Sequence, residues 1–256
     1  MKAMESVTVV KIGGNVVDDA EALNRFVRGF AAMPGRKILV HGGGKEATRL
    51  AEKMGLEVHM VDGRRITDEK MLEIAVMVYA GAVNKRIVAA LQAAGCNAIG
   101  LSGADAGVVK ARRRSPVPVD FGFVGDIEEV DAQRLAMLLD TGLTPVFSAI
   151  MHDGSGTLLN CNADSVASAV AAGVCAKGAV DLVYCFEKEG VLDSQERVIR
   201  QITRPSFEAL KADGTVSRGM IPKIENALQA VAKGVRSVTI KSADDVDNPQ
   251  AGTVIR

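Results

Sequence analysis

The sequence has few of the residues that would mark a disulfide-rich scaffold or a metal centre. Among its 256 residues are four cysteines, none in a CxxC pair, and three histidines that lie far apart. A chain of this length can close a hydrophobic core without covalent crosslinks. We therefore interpret the cysteines as reduced thiols that fill small spaces in the core, and we expect no metal ion held by protein side chains.

Net charge and long apolar runs are also lacking. The 31 basic and 31 acidic residues cancel, which gives no general attraction to nucleic acid or anionic lipid. The apolar run near the N-terminus is too short for a signal peptide. The longest uncharged stretch, 87–104, is interrupted by glycine and polar residues and does not read as a membrane span. We expect a cytoplasmic protein that binds neither nucleic acid nor membrane.

Short apolar runs alternate with longer helical patterns along the chain. Six runs predict strands, and SVTI is the last clear one: VTVVKI (7–12), KILVH (37–41), NAIGLS (97–102), TPVFSAI (144–150), AVDLVYCF (179–186) and SVTI (237–240). Apolar residues at helical spacing lie between them, as in 67–94. This alternation predicts an α/β fold with a mostly parallel central sheet and helices on both faces. The segment 121–130 predicts a hairpin around Gly125 and Asp126.

Two glycine clusters follow directly after the first two predicted strands. Gly13 and Gly14 follow VTVVKI, and the run Gly42 to Gly44 follows KILVH and precedes a predicted helix over 45–54. Glycine lets a backbone approach a ligand closely, and the free N–H groups at the start of a helix favour anions. Parallel sheets bind ligands at the carboxyl ends of their strands. With Lys11 beside the first cluster, the sequence predicts a polyphosphate site at that edge.

A second interpretation of the glycine run is a dinucleotide site. Gly42, Gly44 and Ala47 satisfy the G-x-G-x-x-G/A fingerprint, and Asp62 follows at about the distance of a ribose-binding acid. This interpretation leaves the first glycine cluster and everything after residue 150 without a role. The P-loop pattern is not met. A nicotinamide-dependent oxidoreductase therefore stays an alternative to a kinase.

Six motifs in one order carry a resemblance to a known family. VKIGGN, LVHGGGKE, DGRRIT, FVGDIEEVD, LLNCNADSVA and GMIPKIENAL occur in the order found in the N-acetylglutamate kinases of the amino-acid kinase family. The resemblance implies an α/β/α sandwich in which residues 1–175 bind the acylglutamate and dimerise and 176–256 bind ATP, as one continuous domain. It also implies phosphorylation of the γ-carboxylate to an acyl phosphate, the second step of arginine biosynthesis.

The resemblance also implies roles for individual residues. Lys11 and Lys223 resemble the two lysines that hold the transferred phosphoryl group, and Asp164 resembles the aspartate that orients them. From the sequence alone, Asp164 also fits a helix N-cap or first-turn acid. The acceptor carboxylate has a pKa of ~4.3 and is already an anion at neutral pH, so the reaction requires no general base. Catalysis then depends on alignment and positive charge.

The remaining site residues follow from the same motifs. The substrate-binding residues implied are Gly43, Gly44, Arg65 and Asn160, and the nucleotide-binding residues implied are Gly13, Gly14, Glu187, Gly190 and Leu192. Arginine suits a carboxylate because two parallel N–H donors meet two oxygens. ATP is expected with Mg²⁺, which we expect to be held chiefly by phosphates and water, without a protein ligand.

The chain departs from the family pattern in the nucleotide segment. It reads CFEKEGVL where family members often carry Asp-Val before Gly-Val-Leu. An N-succinyl substrate in place of N-acetyl is a further alternative, because a basic cluster, Lys110 to Arg114, lies in the region near the family's acyl pocket. The short segment before the first strand predicts an arginine-insensitive homodimer. The sequence is also compatible with an aspartate, glutamate, carbamate or uridylate kinase of the same fold, and with a non-catalytic ligand-binding relative.

Overall fold

The computed structural model describes residues 6–61, 63–216 and 220–256. Asp62, on which the dinucleotide interpretation depends, lies outside the described residues. The strands of the described part are β1 (Val7–Ile12), β2 (Arg36–His41), β3 (Met60–Val61), β4 (Arg64–Arg65), β5 (Ala98–Leu101), β6 (Val109–Arg113), β7 (Val124–Val130), β8 (Thr144–Phe147), β9 (Ile150–His152), β10 (Leu158–Cys161), β11 (Val180–Phe186), β12 (Gln201–Ile202), β13 (Ser237–Ser242) and β14 (Thr253–Ile255). The α-helices are α1 (Gly14–Asp18), α2 (Ala20–Ala32), α3 (Gly44–Lys53), α4 (Glu69–Ala75), α5 (Asn84–Ala93), α6 (Ala132–Asp140), α7 (Ala163–Cys175), α8 (Arg204–Ala212) and α9 (Ile221–Ala232).

The central sheet has the strand order β12-β14-β13-β11-β1-β2-β8-β5. Every neighbouring pair is parallel except β13 and β14. Val9 and Val10 on β1 are fully buried on opposite faces, one in a cluster that includes side chains of α7 and α9 and the other in a cluster with α2 and α5. Strands buried on both faces need near-continuous apolar runs, as VTVVKI has. The predicted α/β/α sandwich is confirmed.

The hairpin predicted within 121–130 is wrong. β7 runs through Gly125 and Asp126 without a turn and pairs antiparallel with β6. The glycine serves packing, since a Cβ on Gly125 would lie 2.8 Å from Sγ of Cys161 and 2.9 Å from Cβ of Leu159. β6, β7, β9 and β10 close into a small barrel beside the main sheet.

The helical region predicted over 67–94 is continuous but not α-helical throughout. Between α4 and α5 lies a π-helical stretch, Val76–Val83, called the π segment below. Among the described residues, the combined helix is the one that is long and apolar enough to cross a membrane, a test that core helices of soluble proteins also pass. Ile87 and Leu91 are fully buried in the core cluster against the sheet.

Two strand predictions differ from the structure in extent. The run 144–150 is divided into β8 and β9, and SVTI is not the last strand, because the three-residue β14 follows it. β1 and β11 pair in register from Val7 opposite Val180 to Ile12 opposite Cys185, so the two predicted lobes share one sheet. The division between residues 175 and 176 stays a prediction.

Candidate active site

The ammonium groups of two lysines lie against one aromatic ring at the end of the sheet. Nζ of Lys11 is 5.1 Å from the centroid of the Phe186 ring, and Nζ of Lys223 is 3.6 Å from the same centroid. The face of an aromatic ring attracts cations, so Phe186 offsets part of the repulsion between the two charges. The structure thus brings together the two lysines that the sequence motifs singled out, one from β1 and one from α9.

Asp164 supplies the negative charge beside this pair. Its Oδ1 lies 2.8 Å from Nζ of Lys11. It occupies the first turn of α7, where the helix dipole favours an acid, while the cap belongs to Asn162, whose Oδ1 accepts from the N–H of Ser165 at 3.0 Å. The first-turn position predicted for Asp164 is therefore confirmed, and the N-cap position is not.

The pKa of Lys223 is set mainly by burial. Burial lowers the pKa of Lys223, and the nearby positive charge of Lys11 lowers it further, whereas Asp164 and Glu187 oppose the shift. Tyr184 donates its hydroxyl to the backbone oxygen of Asp164 at 3.2 Å. Burial raises the pKa of that phenol, so it remains a neutral donor.

The guanidinium group of Arg65 is buried, and hydrogen bonds hold one of its two terminal nitrogens in place. Its Nη2 donates to the carbonyl of Gly44 at 2.9 Å and to Oγ1 of Thr48 at 2.8 Å. Its Nη1 is buried without a hydrogen-bond partner. An unpaired buried donor of this kind is costly, and a carboxylate ligand would satisfy it.

One cavity of about 130 Å³ joins most of the residues predicted to bind substrate. Gly44, Arg65 and Asn160 line it, together with Tyr79 and Cys161. Nδ2 of Asn160 donates to Oγ1 of Thr67 at 3.0 Å, which fixes the orientation of the amide. Burial raises the pKa of the Cys161 thiol to about 12, so this wall of the cavity is uncharged. A larger cavity of about 690 Å³ lies elsewhere, between α1, α3 and the π segment.

The residues predicted to bind nucleotide are less closely grouped. Gly13 lies near Phe186 and its N–H is bonded to the carbonyl of Cys185 at 3.0 Å, while the space beside Gly14 is open. Packing accounts for Gly190, since a Cβ there would lie 2.8 Å from Oγ1 of Thr253. Glu187 is exposed, and Leu192 forms an isolated antiparallel β-bridge with Val198. The nucleotide contacts of these residues stay predictions.

The structure adds two aromatic residues that the sequence motifs did not indicate. The ammonium groups of Lys11 and Lys223 both lie over the ring of Phe186. Tyr79 packs on the glycine run, where a Cβ on Gly43 would lie 2.7 Å from Cδ1 of the tyrosine ring. Both residues occur in apolar stretches, where an aromatic residue is most simply explained as core. No signal in the sequence separates them from core residues.

His41 is fully buried at the end of β2, next to the glycine run. Its Nδ1 lies 2.7 Å from the carbonyl oxygen of Gly42, and its Nε2 lies 3.0 Å from Nδ2 of Asn84. Burial lowers the pKa of His41 to about 4, and the positive charges of Arg86 and Lys85 act in the same direction. The imidazole is therefore neutral at neutral pH.

From the lowered pKa of His41 we expect the free energy of unfolding to decrease in acid. An unfolded imidazole binds a proton near pH 6.5, and the folded one only near pH 4. Between these values the unfolded chain takes up a proton that the folded chain does not, so the stability present above pH 6.5 falls as the pH is lowered. We expect about 3 kcal/mol of lost unfolding free energy across this window. Urea titrations of the parent and of His41→Gln at several pH values across this window measure the loss. If the unfolding free energy of the two proteins changed with pH in the same way, the assignment would be contradicted.

The fold and the site together define a class of protein. An α/β/α sandwich with glycine turns at strand ends and two convergent ammonium groups is suited to phosphoryl transfer to a small anionic acceptor. The chain belongs to the amino acid kinase family, whose sequence model matches residues 6–242.

Individual relatives support this membership over the full length. The chain is 48% identical to an acetylglutamate kinase of Bacteroides thetaiotaomicron over 98% of this chain and 99% of that one. It is 47% identical to an acetylglutamate kinase of Cytophaga hutchinsonii over 98% of both chains. A solved structure, smu.665 from Streptococcus mutans UA159, is 27% identical with a TM-score of 0.78, over 97% of this chain and 98% of that one.

Proposed function

We propose that this chain catalyses the ATP-dependent phosphorylation of the γ-carboxylate of N-acetyl-L-glutamate, the second step of arginine biosynthesis. The observation that carries the proposal is the approach of Lys11 and Lys223 to the single ring of Phe186, with Asp164 beside them. The printed names of the relatives at 47–48% identity support the same reaction.

The chemistry requires alignment and positive charge, not a base. A carboxylate oxygen of the substrate attacks the γ-phosphorus, the bond between phosphorus and the bridging oxygen breaks, and ADP leaves with that electron pair. The carboxylate, with an ordinary pKa of ~4.3, is ionised before it binds. Because both reactants are anions, cations fixed on either side of the transferred group supply most of the stabilisation. Lys11 and Lys223 are those cations.

The surrounding residues hold the cations and the acceptor in place. Asp164 fixes the ammonium group of Lys11 through the 2.8 Å ion pair. Gly43 and Gly44 offer backbone N–H groups at the start of α3, where the helix favours an anion. The unpaired Nη1 of Arg65 binds the α-carboxylate, and Asn160 of β10 contacts the substrate from another wall of the same cavity.

ATP is assigned to the side of the site formed by residues 176–256. We assign nucleotide contacts to Gly13, Gly14, Glu187, Gly190 and Leu192. Mg²⁺ enters with ATP and is held chiefly by phosphate oxygens and water, as is usual for this ion. Among the described residues, no group of three or more His, Cys, Asp or Glu side chains could hold a metal ion.

The acyl group is proposed to be acetyl, following the names of the relatives. One observation favours a second candidate, succinyl. A cavity of about 550 Å³, lined by Arg64 and by Arg112 to Arg114, adjoins the substrate cavity at Arg64. Arg114 is paired with Asp126 at 2.7 Å, and Arg113 donates to the carbonyl of Gly122 at 2.8 Å. A terminal carboxylate on the acyl chain would meet positive charge at this position.

A hydroxamate assay for acyl phosphate tests the function and the acyl group together. Purified protein is given Mg-ATP with acetylglutamate, succinylglutamate, glutamate or aspartate in turn. We expect acetylglutamate to give the highest kcat/KM and the free amino acids little product. A higher kcat/KM for succinylglutamate, lowered selectively by Arg112→Gln, would replace acetyl by succinyl. No acyl phosphate from any of the four would overturn the proposed function.

The oxidoreductase alternative is not favoured, because family membership and the names of the relatives indicate a kinase. We further propose that the enzyme acts in the cytoplasm as a homodimer. Exposed methionines on the N-terminal half, Met54, Met60 and Met77, supply apolar surface for association. Light scattering should give a mass of about 54 kDa, twice the 26.9 kDa of one chain. A mass of one chain would contradict the dimer.

A further inference from the structure

The π segment interrupts a long helix directly beside the glycine run. π-Helical turns are rare, are usually a single turn long and occur frequently at functional sites. Here the π-helical bonding extends over eight residues, Val76–Val83, in a helix that is otherwise α-helical from Glu69 to Ala93. A π-helical stretch of this length places its side chains differently from an α-helix, which indicates that contacts with the neighbouring glycine run depend on this placement.

Tyr79, in the middle of the π segment, contacts one residue of the glycine run. The tyrosine is buried, and a Cβ on Gly43 would lie 2.7 Å from its Cδ1 and 3.1 Å from its Cε1. The φ of Gly43 is 172°, outside the left-handed region that favours glycine. The ring of Tyr79 therefore leaves no room for a Cβ at position 43.

Asn84, the first residue of α5, is connected to Gly42 by hydrogen bonds that pass through His41. Its Nδ2 donates to the carbonyl of Val146 at 2.9 Å, which fixes the orientation of the amide because a carbonyl can only accept. The same Nδ2 donates to Nε2 of His41 at 3.0 Å. Nδ1 of His41 then carries the proton and donates to the carbonyl of Gly42 at 2.7 Å. A chain of bonds thus runs from the helix to the glycine run.

The π-helical geometry explains how both contacts come from one helix. Tyr79 and Asn84 are five positions apart. In an α-helix, residues five apart diverge by about 140° around the axis. Bonding from i to i+5 widens the turn and brings such a pair toward one side. One side of the helix therefore contacts two consecutive residues of the glycine run. The ring of Tyr79 packs on Gly43, and Asn84 is hydrogen-bonded to His41, which is bonded to Gly42.

We propose that the π segment is the element that sets the position of Gly42 to Gly44 for phosphoryl transfer, with Tyr79 and Asn84 as positioning residues. The inference rests on the proposed function, because the N–H groups of Gly43 and Gly44 are assigned there to the reacting anions. Displacement of such donors by about 1 Å can cost on the order of 100-fold in rate.

A double-mutant cycle between positions 43 and 79 tests the ring contact. Gly43→Ala in the parent should lower kcat by about 100-fold, because the new methyl group must displace the ring and the loop. The same substitution in a Tyr79→Ala background should cost less than about 5-fold, since the obstacle is gone. In a Tyr79→Phe background, which keeps the ring, the loss should again be about 100-fold. Equal losses in all three backgrounds would overturn the ring's role.

A spectroscopic measurement tests the second contact without depending on Tyr79→Ala being folded. In ¹⁵N-labelled parent protein, the His41 ring should show the Nδ1–H tautomer. Asn84→Ala should change that signature and lower kcat by about 10-fold, with KM for Mg-ATP within about 2-fold. A changed signature with unchanged kcat would overturn the proposal. A parent without kinase activity would instead remove the proposed function, so the two failures are distinguishable.

Discussion

Lys223→Ala is expected to lower kcat by about 100- to 1000-fold while KM for acetylglutamate changes by less than about 3-fold. The ammonium group lies 3.6 Å from the centroid of the Phe186 ring, and that of Lys11 lies 5.1 Å from the same centroid. In the proposed mechanism the Lys223 ammonium group faces the charge that develops on the transferred group and not the bound acceptor. Removal of a single fixed donor to a developing anion costs on the order of 3 kcal/mol, which is this loss in rate.

The chain offers a matched control at the C-terminal end of the same helix. Lys233, just beyond the last turn of α9, is exposed, and Lys233→Ala should leave kcat within about 2-fold of the parent. Steady-state kinetics by coupled ADP release measure both variants. If Lys223→Ala and Lys233→Ala had equal turnover, Lys223 would have no part in the reaction.

Arg65→Ala is expected to raise KM for acetylglutamate by about 30-fold or more. Truncation of one partner of a buried, hydrogen-bonded charge pair costs about 2–5 kcal/mol. The unpaired Nη1 of Arg65 is the donor available to a carboxylate, and Nη2 holds the carbonyl of Gly44. Both the proposed ligand contact and the position of the glycine run therefore depend on this side chain.

Two further variants separate the geometry of Arg65 from its charge. Arg65→Lys keeps the charge but lacks the two-pronged donor set, so it should recover only part of the affinity. Arg28→Ala removes an exposed arginine on α2 and should have little effect. Isothermal titration with acetylglutamate measures the affinities directly. Equal affinity in Arg65→Ala and the parent would exclude Arg65 as the carboxylate ligand.

The sequence was sufficient to predict the main sheet because its strands are buried on both faces. The runs at β1, β2 and β11 each contain at least three consecutive or nearly consecutive apolar residues, and helices such as α2 and α3 have a clear 3.6-residue spacing. Two- and three-residue strands such as β12 and β14 carry too few residues to form a pattern. In the sequence, Gly125 is typical of a turn residue, because the contact with Cys161 that requires glycine within the strand is not visible there.

Prediction of the site succeeded where charge or glycine stands out from an apolar background. Lys11 and Asp164 sit at the ends of apolar elements, and the structure places their charged atoms 2.8 Å apart. Phe186 and Tyr79 were missed because their role depends on which side chains lie across from them. The π segment was missed for a related reason, since its residues are apolar on all sides and their spacing is compatible with an ordinary helix.

In the proposed mechanism, the ammonium groups of Lys11 and Lys223 act together on one transferred phosphoryl group. The most direct measurement is a crystal structure with Mg-ADP, aluminium fluoride and acetylglutamate, which together mimic the transition state. We predict both Nζ atoms at about 3 Å from the planar fluoride group, on opposite sides of it. If either Nζ pointed away from that group into a separate cavity, the claim would be contradicted.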